Sequence, residues 1–148
     1  MSKTLAELAH KMREIDFCML ATRGPNGAIA TRPMSNNQDV EYDGDSYYFT
    51  YENAHMVAEI QRDPQVGLAF QGSTGLLGLR PFFAAVEGHA ELIRDKGQFK
   101  EHWSSDLDQW FRHGADTPGL VMIKVHADRI HYWDGEKEGE IKLAQAAA

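Results

Sequence analysis

Three segments in the first half of the chain combine groups that can hold an anion with groups that can face a flat ring. Residues 30–35 read Ala-Thr-Arg-Pro-Met-Ser, and residues 46–51 read Ser-Tyr-Tyr-Phe-Thr-Tyr; residues 53–60 follow with a helical pattern. The first two segments have the composition of strands. A helix that starts beside them presents unpaired backbone N–H groups and the positive end of its dipole. We therefore expect a site in which the helix start binds a phosphate and the two strands face a planar ring.

Arg32 is the residue of these segments that is hardest to explain as ordinary structure. It stands within an apolar strand pattern, where an unpaired buried charge is costly. We therefore expect it to face a ligand rather than to join a surface ion pair. The neighbouring Pro33 cannot donate to a strand ladder, so it marks an edge or an opening of the sheet. The aromatic residues of 46–51 fit core and surface strand positions equally well.

The charge and motif content excludes several other functions. Lys and Arg number 15 against 22 Asp and Glu, a net charge of −7, and their interspersed placement argues against binding to nucleic acid or an anionic membrane. Cys18 is the only cysteine and is expected to be a small buried side chain. We assign no metal site, because the seven histidines show no ligand spacing such as H-E-x-x-H. No signal-peptide or membrane-span pattern occurs, so a cytoplasmic location is expected.

The order of the apolar patterns predicts a single, mainly β domain over residues 1–148. Thr4 and Glu7 form a capping box for an N-terminal helix within residues 1–15, and residues 140–148 are expected to be a flexible tail. Helical patterns also cover residues 96–103 and 106–111, and His126 and His131 are expected to flank a turn at 128–129. Six or more antiparallel strands indicate a closed or partly closed barrel. The strand patterns cover residues 17–22, 28–34, 40–42, 47–51, 66–70, 82–93, 120–126 and 130–133.

Eight short pieces of the chain, taken in their order and spacing, resemble one known family. It is the pyridoxamine phosphate oxidase-like, FMN-binding split barrels, and within them the general stress protein branch. The resemblance covers about residues 17–134 and implies a six-stranded antiparallel split barrel that forms a homodimer, with two FMN sites along the subunit interface. The pieces are residues 18–22, 32–34, 48–50, 57–60, 63–66, 86–88, 110–111 and 132–134.

The same resemblance assigns twelve positions to the cofactor. Two strands are implied to line the flavin, the start of a helix to meet its phosphate, and the remaining residues to lie near the ring or the dimer seam. The positions are Arg32, Pro33, Met34 and Ser35; Phe49, Thr50 and Tyr51; His55 and Met56; and Gln71, Trp110 and Trp133. Many relatives have a lysine where this chain has Met56. Phosphate binding would then rest on Arg32, the helix dipole and His55.

The family implies a flavin-dependent oxidoreductase that acts on an unidentified small molecule, with NAD(P)H as a possible partner. No general acid or base is evident, which fits chemistry done by a cofactor. The alternative is a flavin-binding or flavin-storage stress protein without turnover, since both functions need the same site. A related barrel with deazaflavin or haem is a third possibility. The pyridoxamine phosphate oxidase reaction itself is not expected, because the basic C-terminal segment of those enzymes has no match here.

Overall fold

A computed structural model describes residues 3–36, 42–72 and 81–143, which form a mainly β protein with three α-helices. Helix α1 (Leu5–Arg13) begins with the predicted capping box, in which Thr4 and Glu7 satisfy each other's backbone N–H groups. The other helices are α2 (His55–Arg62) and α3 (Lys96–His102). The strands are β1 (Phe17–Arg23), β2 (Ile29–Ser35), β3 (Asp45–Tyr51), β4 (Gln65–Gln71), β5 (Phe82–Ile93), β6 (Leu120–Asp134) and β7 (Lys137–Lys142).

All strand pairs are antiparallel, and the sheet runs in the order β2-β1-β4-β5-β6-β3, with β7 also pairing with β6. This sheet curls on itself. Cys18 of β1 donates a hydrogen bond from its Sγ to the Oη of Tyr48 on β3, at 3.4 Å, although three strands separate β1 from β3 in the sheet. Met34 of β2 belongs to the same buried cluster. The prediction of an antiparallel split barrel is confirmed.

Alternate residues of β1, β4, β5 and β6 fill most of the interior of the barrel. Leu20, Ile123 and Ile130 are completely buried. Helix α1 closes one side of this core with Leu8 and Met12, which lie on one face of the helix at a spacing of four residues. A second cluster, centred on Phe49 of β3, packs against α3 and the segment that follows it.

Strand β6 corrects the predicted turn at residues 128–129. It is one continuous strand of 15 residues. Glu87 pairs with Arg129 and Gly88 pairs with Ala127, so Asp128 is an extra residue in a β-bulge. The bulge interrupts the alternation of buried and exposed residues in the way that a turn would. His126 and His131 consequently lie on one strand and do not flank a turn.

The chain reverses after β6 at Gly135, which has a positive φ of 63°. The return strand β7 occupies Lys137–Lys142, so the predicted tail begins within a strand. Residues 105–109 form a 3₁₀ helix, which overlaps the helical pattern predicted over 106–111. Of the strand predicted at 40–42, Val40 and Glu41 lie outside the described residues, and Tyr42 is not in a strand.

The Gly88→Ala substitution tests how closely β5 and β6 approach each other at the bulge. A Cβ placed there would overlap the carbonyl oxygen of His126, which belongs to the backbone and cannot move away alone. Gly88→Ala is expected to lower the free energy of unfolding by about 1–3 kcal/mol, the range typical of overpacking. Urea unfolding measures the change. Gly67→Ala is the control, because its Cβ would make ordinary contact, 3.6 Å from the oxygen of Val86. Equal losses for the two variants would contradict the close approach.

Candidate functional site

A cleft of about 340 Å³ lies where the two terminal strands of the sheet, β2 and β3, approach each other. Its size is near the lower end of small-molecule sites, which span about 300–1,000 Å³. Residues of both strands line it, together with the start of α2 and the 3₁₀ segment. The lining residues are Phe17, Arg32, Pro33, Met34, Ser35, Phe49, Thr50, Tyr51, Met56, Leu107, Trp110 and Phe111.

One wall of the cleft is aromatic and is supported from behind. The rings of Tyr51 and Phe111 are tilted against each other with centroids 5.2 Å apart. Trp103 packs edge-to-face against both Phe111 and Phe49, and its indole N–H donates to Asp108 at 2.9 Å. Trp110, in contrast, is 56% exposed at the rim. The wall therefore offers fixed flat surfaces and one exposed indole to a planar ligand.

The start of helix α2 forms one end of the cleft. The N-cap residue Ala54 has no side chain that could accept a hydrogen bond from the helix, and the first turn contains no acidic residue. Met56, the second residue of the helix, lines the cleft. Because nothing in the first turn neutralises the positive end of the helix dipole, this end of the cleft favours an anionic group.

Arg32 lines the cleft and is also ion-paired with a residue that the sequence pattern did not single out. Its Nη2 lies 3.3 Å from the Oε1 of Glu59 on α2. Its Nη1 donates to the hydroxyl of Thr22 at 2.9 Å and to the carbonyl oxygen of Leu20 at 3.2 Å. Burial lowers the pKa of the Arg32 guanidinium, and the charge of Glu59 opposes that shift. The pair is buried behind the cleft and is not a surface pair.

The structure brings together nine of the twelve predicted site residues in this cleft: Arg32, Pro33, Met34, Ser35, Phe49, Thr50, Tyr51, Met56 and Trp110. His55 is exposed and precedes Met56 at the start of α2, but it does not line the cleft. Gln71 and Trp133 lie on the outer face of the sheet. Whether these residues bind a cofactor remains a prediction. Sequence reasoning did not assign Phe17, Leu107 and Phe111 to the site, although Phe111 adjoins Trp110 in the chain.

The outer face of the sheet carries an unusual number of exposed apolar side chains. Phe17 and Met19 are 52% and 40% exposed, and Phe83 and Trp133 are 38% and 37% exposed. Strand register places Met19 beside Ala69, and Phe83 between Gln71 and Trp133. We call the surface formed by Phe17, Met19, Ala69, Phe83 and Trp133 the outer apolar face. It adjoins the cleft, because Phe17 belongs to both.

A second cleft, of about 540 Å³, lies farther along the outer face. It is larger than the first, but its lining mixes small residues with Arg23, Glu87 and Asp128. The carboxylates there already have partners, since Glu87 pairs with Arg129 and Asp128 contacts the imidazole of His89. Flat apolar walls are absent from this lining, so the cleft between β2 and β3 is the better site for a planar ligand.

Cys18 is not a reactive group in this site. Burial raises the pKa of its thiol to about 11, with the hydrogen bond to Tyr48 opposing that shift. The thiol is therefore protonated at neutral pH. Within the residues that the structure describes, no cluster of His, Cys, Asp or Glu could hold a metal ion. No helix of the described part is long and apolar enough to cross a membrane.

The chain is similar to proteins of one family. The family model described as pyridoxamine 5'-phosphate oxidase like matches residues 3–148. A crystal structure of a Clostridium acetobutylicum protein related to general stress protein 26 covers 94% of each chain with a TM-score of 0.77 and 18% identity. A heme binding protein from Mycobacterium smegmatis has a TM-score of 0.76 and 14% identity, over 96% of this chain and 59% of its own. Protein bli-3 of Neurospora crassa is 22% identical over 99% of this chain and 72% of its own length.

A substitution at Thr22 tests the hydrogen-bond network that joins Thr22, Arg32 and Glu59. Its hydroxyl accepts from Arg32 and donates to Glu59 at 3.2 Å, and the residue is 1% exposed. Thr22→Val keeps the shape but leaves both charged partners with one hydrogen bond fewer, so we expect a loss of about 1–3 kcal/mol in unfolding free energy by urea denaturation. Thr31→Val on the exposed side of β2 is the control, expected to change stability by less than about 0.5 kcal/mol. A Thr22→Val protein as stable as the wild type would refute the network.

Proposed function

The chain belongs to the pyridoxamine 5'-phosphate oxidase-like family, and on that premise we propose that it binds FMN in the cleft between β2 and β3 as a flavin-dependent oxidoreductase of a small molecule. The observation that carries the proposal is the pairing of flat apolar walls with an uncapped helix start in one cleft. A phosphorylated planar cofactor needs both features. Nine positions assigned to FMN by sequence resemblance line this cleft.

The donor set of the cleft fits a flavin. Pro33 and Met34 on β2 and Tyr51 on β3 would hold the ring between apolar surfaces. The backbone N–H groups at the start of α2 would hold the phosphate. Arg32, on the wall between the ring site and the phosphate site, would donate a hydrogen bond to the cofactor. Each of these groups lies on a strand or a helix start, so the cleft is formed before a ligand arrives.

The reaction chemistry would come from the bound cofactor, which can pass a hydride between a nicotinamide or another small donor and an acceptor. The described lining of the cleft contains no carboxylate, imidazole or amine that could act as a general acid or base. The chain itself would therefore bind and orient the ring and keep water from its buried side. A flavin carrier without turnover needs the same groups, and rapid reduction of the bound flavin by NADH or NADPH distinguishes the enzyme from the carrier.

We further propose that a second copy of the chain covers the outer apolar face. Large exposed apolar patches mark interfaces, and this patch continues into the cleft through Phe17. In such a homodimer Gln71 and Trp133, which do not line the cleft of their own chain, would lie at the subunit seam. The site would then be completed by both chains.

We also propose the cytoplasmic location that is expected from the sequence.

Haem is the competing cofactor, because the Mycobacterium smegmatis relative is a heme binding protein. An axial imidazole is the usual ligand of haem iron in binding proteins. The described lining of the cleft contains no histidine, and the nearest in sequence, His55, is exposed and outside it. The lining therefore favours a flavin over haem. A parallel titration with hemin tests this preference, since saturable hemin binding without flavin binding would reverse it.

Fluorescence titration of the purified protein with FMN tests the proposal, and the Met56→Lys variant tests the position of the phosphate site. We expect saturable quenching at about one flavin per chain. A lysine at position 56 would place a cation beside the proposed phosphate site, and a partly screened charge pair of this kind contributes on the order of 1–2 kcal/mol. The variant should therefore bind FMN about tenfold more tightly.

Gln61→Lys is the matched control for this variant. It adds the same charge at an exposed position in the last turn of α2, away from the cleft. It should leave the FMN affinity within about twofold of the wild type. Failure of the wild type to bind FMN would contradict the proposed function. Equal tightening by both lysine variants would show that overall charge matters and that Met56 does not mark the phosphate site.

Met19→Glu tests the homodimer. A carboxylate on the outer apolar face would have to be desolvated when a second chain covers it. We expect wild-type dimers and mainly monomeric Met19→Glu in sedimentation equilibrium, with weaker FMN binding by the monomer. Gln61→Glu, an exposed change on α2, should remain dimeric. A monomeric wild-type protein, or a dimer that Met19→Glu does not weaken, would contradict this interface.

A further inference from the structure

Glu59 is the one charged residue among the buried residues that the structure describes; the other polar ones are Thr22, Thr50, Ser104 and Thr117. It lies on α2, in the helix whose start forms one end of the cleft. An ionised carboxylate is costly to bury unless cations and hydrogen-bond donors surround it. Its surroundings therefore indicate what it does.

The carboxylate of Glu59 is bound to Arg32 and to the group that also holds Arg32. Its Oε1 lies 3.3 Å from the Nη2 of Arg32 and accepts from the hydroxyl of Thr22 at 3.2 Å. The same hydroxyl accepts from the Nη1 of Arg32, which also donates to the carbonyl oxygen of Leu20. Acceptors on α2 and β1 thus bind one side of the guanidinium, while Arg32 also lines the cleft. Its remaining N–H groups can donate to a ligand there.

Gly24 makes room for the second oxygen of this carboxylate. A Cβ at Gly24 would stand 2.9 Å from the Oε2 of Glu59. The φ of Gly24 is −84°, a value that other residues adopt readily, so space and not backbone conformation favours glycine here. Glu59 itself is absent from the lining of the cleft. Its influence on a ligand must therefore act through Arg32 and through its charge.

Arg32 is the only charged residue in the described lining of the cleft, and Glu59 balances it. We propose that Glu59 determines the ligand specificity of the cleft by orienting Arg32 and cancelling its charge, so that Arg32 donates to uncharged acceptors such as the ring carbonyl oxygens of a flavin. The proposal rests on the proposed flavin function. It means that the phosphate of FMN gains little from Arg32 and depends mainly on the start of α2.

Glu59→Gln tests this role, because glutamine keeps an oxygen that can accept from Arg32 and Thr22 but removes the negative charge. Arg32 would then carry an unbalanced charge at the wall of a partly buried cleft, where charges act over several ångströms. FMN and riboflavin are titrated into the wild type and the variant under the same conditions. We expect the variant to bind FMN about tenfold more tightly and riboflavin within about twofold of the wild type.

Glu140→Gln is the matched control. It removes an exposed carboxylate on β7 that pairs with Arg129 of β6. It should leave both affinities within about twofold. A folded Glu59→Gln protein whose preference for FMN over riboflavin is unchanged or reduced would overturn the inference while leaving flavin binding intact. A wild type that binds neither flavin would instead overturn the proposed function, and the inference with it.

A salt series on the wild type keeps the inference testable if Glu59→Gln does not fold. Electrostatic attraction between ligand and protein weakens as salt screens it. With a balanced Arg32, only the interaction of the phosphate with the helix dipole is screened, so raising NaCl from about 50 to about 500 mM should lower the FMN affinity by no more than about threefold relative to the riboflavin affinity. An FMN affinity that falls about tenfold more than that of riboflavin would show an unbalanced cation in the cleft and would overturn the inference.

Discussion

The pairing of β6 with three other strands is the constraint on which the rest of the structure depends. One edge of β6 pairs with β5 along nearly its whole length, and its other edge is shared by β3 and β7. Its residues Ile123, Val125 and Ile130 are buried in the barrel core, so a slip of register would turn them to the opposite face of the sheet. Pairing of Leu120 with Tyr51 and of Met122 with Phe49 sets where the second wall of the cleft stands. The bulge at Asp128 lets so long a strand follow the curl of the barrel.

The cleft is built to bind by surface contact more than by charge. Aromatic rings, Pro33 and two methionines supply its walls, and Glu59 balances Arg32, the one cation among the described lining residues. The overall charge of −7 also gives no long-range attraction to an anion. In this account the helix dipole at α2 is the main unbalanced positive field near the cleft. That arrangement suits a cofactor whose ring is held firmly and whose phosphate contributes modestly.

Local patterns in the sequence predicted most elements because their causes are local. The capping box at Thr4, the alternation in β5 and the composition of β2 and β3 each act within a few residues. The bulge at Asp128 was missed because it imitates a turn in the alternation pattern, and β7 was missed because its strongly charged residues lack an apolar period. The pairing of Arg32 with Glu59 could not be predicted, since 27 positions separate them and only the docking of α2 on the sheet brings them together. For the same reason no local pattern indicates that Gln71 and Trp133 lie outside the cleft.

The ¹H–¹⁵N spectrum of the three tryptophan indole groups during an FMN titration tests directly whether the flavin binds between β2 and β3. Trp110 lies on the cleft wall, Trp103 is packed behind it with its N–H bonded to Asp108, and Trp133 lies on the outer face. Single Trp→Phe variants assign the signals. The Trp110 signal should shift and saturate at about one FMN per chain, as expected for a single site. Saturable FMN binding that leaves the Trp110 signal unmoved would contradict the placement of the flavin between β2 and β3.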